Sequence, residues 1–146
     1  MLKEWMHTAR ATYNAALAAT KVEEDPAPFN FITLRNRIVP QASDYAQENP
    51  WALATPKSIR AEAIRDVVTA HKSNVAKRKK DKSHTWKQRF RSRKQNRGLV
   101  TLNVEAPNFK VGKDGTIRLF PRLGFGTLKY RLRGSEEEDA PDRTYV

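Results

Sequence analysis

The stretch Lys77-Arg78-Lys79-Lys80-Asp81-Lys82-Ser83-His84-Thr85-Trp86-Lys87-Gln88-Arg89-Phe90-Arg91-Ser92-Arg93 marks the place where the chain changes its period. Before it, apolar residues recur every three or four positions. Within Thr85–Arg93, the residues Trp86, Gln88, Phe90 and Ser92 alternate instead with Lys87, Arg89, Arg91 and Arg93. A spacing near 3.6 belongs to helices and a spacing of 2 to strands. The predicted class is therefore α+β. A helical region is expected over residues 1–83 and a small, incomplete antiparallel β-barrel over 84–134. An acidic, disordered tail is expected over 135–146.

Working outward from that stretch, Leu2, Trp5, Met6, Ala9, Tyr13, Ala16 and Leu17 predict a first amphipathic helix, uninterrupted by Pro or Gly before Pro26. Val22–Pro28, with two prolines and three acids, reads as a loop. A short helix is expected over Phe31–Val39, ended by Pro40. Thr55 and Pro56 form an N-cap and first-turn pair for a second long helix. Ile59, Ala63, Ile64 and Val67 make its apolar side, Glu62, Asp66, Thr69 and Ser73 the opposite side, and Lys57, Arg65 and Lys72 a basic flank. Arg60 falls inside the apolar stripe. It is either a snorkelling side chain or internal ion pair, or a guanidinium held rigidly for phosphate or base recognition. Downstream, Leu99–Val104 and Phe109–Val111 read as strands, and Asp114–Gly115 as a hairpin turn into Thr116–Phe120. Leu128, Tyr130 and Leu132 then alternate with Lys129, Arg131 and Arg133.

The formal charge is +12, and its distribution is uneven. Residues 1–56 carry five basic and six acidic side chains, residues 57–133 carry 22 and five, and residues 134–146 carry one and five. Self-repulsion concentrated in the middle of the chain is relieved most readily by a polyanion. The absence of cysteine excludes a disulfide framework and a Cys-based zinc site. No apolar run approaches the roughly 20 residues that cross a bilayer. Nor does the amino terminus carry the apolar core of a signal peptide, so an intracellular protein with no membrane partner is expected.

The window Lys77–Arg97 holds eleven basic residues and one acid, Asp81. Three readings are open: a solvated linker, a nuclear-import signal at Lys77–Lys80, and direct phosphate binding. Alternation favours the third, because it gives the cations one direction, with Trp86 and Phe90 on the opposite face, where core packing is preferred over base stacking. The candidate nucleic-acid contacts are Lys57, Arg60, Arg65, Lys72, Lys77, Arg78, Lys79, Lys80, Lys87, Arg89, Arg91, Arg93, Lys94 and Arg97. Such a surface reads backbone more than sequence. Asn74 and Gln88 could contact bases, although an amide near a helix end is more often a cap.

Chemistry is sparsely represented. His7, His71 and His84 have no metal-ligand spacing, and no nucleophile motif or phosphate-cradling glycine loop occurs. Glu136–Asp139 reads as a solvated tail. Asp66 and Glu105 are the acids a small nuclease could use, yet they are scattered, and two-metal chemistry needs several that converge. No catalytic centre, metal or cofactor is expected in this chain.

Several ordered segments carry a family likeness. These are Trp5-x-x-x-Ala9-Arg10-x-x-Tyr13-Asn14, Asn30-Phe31-x-x-Leu34-Arg35, and Asn49-Pro50-Trp51-x-Leu53-x-Thr55-Pro56-x-x-Ile59-Arg60-Ala61-Glu62-Ala63. Phe90-Arg91-Ser92-Arg93-Lys94 and Ile117-Arg118-Leu119-Phe120-Pro121-Arg122-Leu123 follow. Together they resemble the amino-terminal part of TnpB, the OrfB-type transposon proteins whose eukaryotic and viral relatives are called Fanzor. The resemblance implies an RNA-guided DNA endonuclease family in which a helical recognition lobe is inserted into a wedge-like β-barrel. Carried over, Pro56–Asn74 would belong to that lobe, with Lys57, Arg60 and Lys72 facing nucleic acid. Phe90–Lys94 would be a barrel strand near guide RNA or target DNA backbone.

The sequence departs from the family in three respects. His71 stands where an aromatic is common, the usual first barrel strand is missing, and the RuvC-like domain with its Mg²⁺-binding carboxylates does not follow. The expectation is thus a fragment or remnant that grips RNA or DNA without cutting it, in a nucleus if the source is eukaryotic or viral and otherwise in cytoplasm. The alternative is a basic structural RNA-binding protein of the ribosome-associated type.

Overall fold

The first helix forms because its apolar residues fall on one stripe. Trp5, Thr8, Ala9, Thr12, Tyr13, Ala16 and Leu17, spaced three and four apart, are all buried along α1, Leu2–Ala19. A computed structural model describes residues 2–94, 104, 106, 108–112, 115–120, 124 and 126–129. The chain divides into two compact units, Met1–Asn103 and Val104–Val146.

In the first unit α2 spans Phe31–Ile38. The Asn30 side chain starts it by accepting hydrogen bonds from the backbone N–H groups of Ile32 and Thr33 at 2.9 and 3.2 Å. A short helix, α3 at Asp44–Glu48, is capped by Ser43, and a 3-10 turn covers Pro50–Ala54. Neither is foreseen by the sequence reading. The long helix α4 runs over Lys57–Lys80, with Ile59, Arg60, Ala63, Ile64, Val67 and Val68 buried. From Thr69 onward no residue of α4 is buried.

Thr55 is not the N-cap of α4. Pro56 holds that position without a side-chain cap bond. The Thr55 hydroxyl instead donates to the Thr8 hydroxyl at 2.8 Å in the core, and Thr8 passes the chain on to the Glu4 carbonyl at 3.0 Å. A buried hydroxyl needs a partner more than an exposed helix start does, because an unpaired buried polar group costs about 1–3 kcal/mol.

After α4 the segment expected as a strand, Thr85–Arg93, is not one. It is a strap that runs back along the helices, so residues 84–94 belong to the helical unit and not to the sheet. A ladder needs a neighbouring strand, and here the strap's backbone meets side chains instead.

In the second unit three strands, β1 (Phe109–Val111), β2 (Thr116–Leu119) and β3 (Thr127–Lys129), pair antiparallel in the order β1-β2-β3. Among the described residues this is an open sheet and not a barrel. Gly115, with φ of 71°, supplies the left-handed turn conformation that the Asp-Gly signal announced. The register sets Phe109 opposite Leu119, Val111 opposite Ile117, and Ile117 opposite Leu128, while Lys110 faces Arg118 and Thr116 faces Lys129. One face is therefore apolar and the other carries Lys110, Arg118 and Lys129. The expected strand at Leu99–Val104, except for Val104, and the expected alternation and tail from Tyr130 onward, lie outside the described residues.

Candidate nucleic-acid interface

Three polar anchors hold the strap against the helices. Gln88 donates from Nε2 to the Val67 carbonyl of α4 at 3.0 Å and to the Tyr13 hydroxyl of α1 at 3.3 Å. The Asn14 carboxamide binds Arg91 twice, accepting from its backbone N–H at 2.8 Å and donating to its carbonyl at 3.0 Å. That pair reproduces with a side chain the two bonds a neighbouring strand would make. The Arg91 guanidinium lies 3.9 Å over the Tyr13 ring and reaches the Asp66 carboxylate of α4 at 3.1 Å.

Nearer the end of α4, His84 hydrogen-bonds the Asn74 side chain at 3.1 Å, and Trp86 packs between the rings of His71 and His84 at centroid distances of 6.1 Å each. His71 in turn stacks on Phe29 at 3.7 Å, nearly parallel. Asn74, His71 and Asp66 thus meet His84, Trp86 and Arg91 in reverse order, which sets the strap antiparallel to α4.

The alternation read from the sequence holds from His84 to Arg89. His84, Trp86 and Gln88 are half-buried, and Thr85, Lys87 and Arg89 are exposed. It then fails, since Phe90 is 48% exposed while Arg91 turns inward to Tyr13 and Asp66. Two expectations are corrected: Phe90 does not anchor the strap to a core, and Arg91 is not part of an outward cationic row. The swap runs against area bookkeeping, in which full burial of a Phe side chain is worth about 1.5–3 kcal/mol. It is offset by an ion pair, a cation–π contact and two backbone bonds at one residue.

Arg60 is corrected likewise. At 2% exposure it is the largest fully buried side chain among the described residues, donating from Nε to the Thr55 carbonyl at 3.2 Å and from Nη1 to the Val39 carbonyl at 2.9 Å. It fastens the start of α4 to the end of α2 and does not face an external phosphate. Burial pulls its pKa below the ordinary arginine value, an effect opposed by neighbouring Tyr45. Burial pushes the Tyr45 hydroxyl up, reduced by the Thr12 hydroxyl and by Arg60.

The remaining candidates separate by place. Lys77, Arg78, Lys79 and Lys80 form the exposed last turn of α4, where cations also complement the helix dipole. Asp81 caps that helix and accepts from the Ser83 hydroxyl and N–H at 2.7 and 2.9 Å. Those two bonds, the side-chain one first, hold its pKa below the usual carboxylate value. Lys72, Lys87, Arg89, Arg93 and Lys94 are exposed. Arg65 is half spoken for, bonded to Glu62 at 2.8 Å and stacked 4.3 Å over Phe31. Lys57 stands about 35 Å along the helix axis from Lys80 and does not join the others. Arg97 lies outside the described residues.

Sequence reading missed two contributors, Asn14, which fixes the strap's position, and Lys21. The Lys21 ammonium sits 4.6 Å over the Phe90 ring and 3.3 Å from the Gln88 carbonyl. Neither carries a local signal, because both act across 67 or more residues of sequence. In the sheet unit, Lys110 directly opposite Arg118 is a like-charge pair, which is unfavourable by itself.

The acids do not gather. Glu62 pairs with Arg65, Asp66 with Arg91, and Asp81 with Ser83, and Glu105 lies outside the described residues. Among the described residues no three metal-ligating side chains converge. No described helix is long and apolar enough to cross a membrane. No family model, curated protein or solved structure matches the chain.

Proposed function

We propose that the chain grips the sugar-phosphate backbone of RNA or DNA through the strap and the adjoining end of α4, as the nucleic-acid-holding part of a TnpB-like protein. The observation that carries this reading is the pinning of the strap. Gln88, Asn14 and Arg91 fix its backbone to two helices, and Lys87 and Arg89 project from it into solvent. Cations on a fixed backbone meet phosphates with less ordering cost than cations on a free coil. The last turn of α4 adds four more beside the strap's origin.

Grip without cleavage is the proposed role, supported by the local pairing of Glu62, Asp66 and Asp81. Guide-like RNA and target DNA are both suitable ligands, since phosphate contacts carry little sequence information. Such a role calls for a place inside the cell, in the nucleus if the source is eukaryotic or viral and otherwise in the cytoplasm. The test is binding of structured RNA and duplex DNA at two salt concentrations. Affinity should fall by orders of magnitude between about 50 and 200 mM salt, and binding that ignores salt would refute the reading.

A further inference from the structure

Phe90 is an apolar ring left 48% exposed in the middle of a cationic strap, between exposed Arg89 and inward Arg91. The Lys21 ammonium lies against the ring at 4.6 Å and is tied to the Gln88 carbonyl two residues away, so the ring is steadied on one side. Resting on the proposed backbone grip, we infer that Phe90 is a stacking platform for an unpaired nucleobase, and that the strap prefers single-stranded RNA or DNA over a closed duplex.

Two observations and the chemistry of a nucleobase converge on this occupant. The ring faces outward where the local alternation would have buried it. Lys87, Arg89 and Arg93 are exposed on either side of it along the strap, so a strand whose phosphates lie on those cations brings its bases to the ring. A base has an apolar π-face of the size of the ring, and stacking of that kind is tolerant of sequence, matching a surface that otherwise reads phosphate. Within a duplex both faces of a base are already stacked and its edge is paired. A platform set among phosphate-binding cations is therefore useful only to an unpaired base.

The test uses the full chain with a labelled, unstructured RNA oligonucleotide, the DNA of the same sequence, and the matching duplex. Phe90→Ala and Phe90→Leu should weaken binding of both single strands by about 5- to 150-fold and leave duplex affinity unchanged. Phe90→Trp should bind single strands at least as well as the parent, with its added indole fluorescence quenched by them. Leucine keeps apolar bulk without a π-face, so it separates stacking from packing, and unchanged melting temperatures would show that the fold persists. A Phe90→Leu chain that binds single strands like the parent, or that loses duplex affinity equally, overturns the stacking site while leaving the backbone grip intact. A parent chain without salt-dependent binding to any of the three probes overturns both.

Discussion

Two halves of one basic run behave differently. Lys77–Lys80, four cations in four residues, ends α4, and Lys87–Arg91, three cations in five, lies on the strap. The helix end owes its order to the helix alone, with four exposed cations pointing around a full turn. The strap owes its order to distant residues, Tyr13, Asn14, Asp66 and Val67, and one of its arginines is used to hold it down. A count of charges cannot separate a helix terminus from an oriented surface, whereas the partners of the backbone can.

The most disruptive way to probe this difference is to remove what sets both regions. Arg60→Ala leaves the Thr55 and Val39 carbonyls without their buried donor. At about 1–3 kcal/mol for each such loss, urea denaturation should show destabilisation of about 3 kcal/mol or more, with α4 and the strap weakened together. Next in size, Asn14→Ala removes both bonds to the Arg91 backbone and should cost about 1–3 kcal/mol. Amide hydrogen exchange should quicken at Arg91 while α4 amides near Val67 stay protected. Equal quickening throughout would mean that strap and helix open as one body.

Smaller effects belong to the helix end. Lys77→Ala with Lys80→Ala removes favourable charge–dipole contacts, worth about 0.3–1 kcal/mol at low salt, and the loss should fade as salt is added. Smallest is the Asp81 cap. Its folded pKa is depressed, so its contribution is present above the ordinary aspartate pKa and is lost as pH falls through the lower folded value. The Ser83 amide resonance should therefore titrate below the range of a free aspartate, and in Asp81→Asn it should not titrate at all.

Much of the architecture was legible from periodicity. The buried stripes of α1 and α4, the start of α2 after Asn30, and the hairpin through Gly115 all follow from local patterns. The aromatic Trp86 also lies inward as its alternation implies. What was not legible depends on contacts distant in sequence. Thr55 prefers Thr8 to capping its own helix. Phe90 and Arg91 exchange places because Tyr13, Asn14 and Asp66 capture the arginine, and no window around residue 90 contains those partners. Arg60 was visible as an anomaly, a cation within an apolar stripe, and only the carbonyls of Thr55 and Val39 decide that it is a fastening and not a contact. In the candidate interface the charge and the outward direction of Lys87 and Arg89 were readable, and the inward turn of Arg91 was not.

The central claim is that the strap, more than the helix end, holds phosphate. The direct measurement is the slope of log affinity against log salt for the parent, for Lys87→Ala with Arg89→Ala, and for Lys77→Ala with Arg78→Ala. Each phosphate contact contributes about 0.7–0.9 to that slope. The strap pair should flatten it by about 1.4–1.8, with the helix-end pair changing it less. A helix-end pair that flattens the slope as much as the strap pair, or a strap pair that leaves it unchanged, would contradict the account.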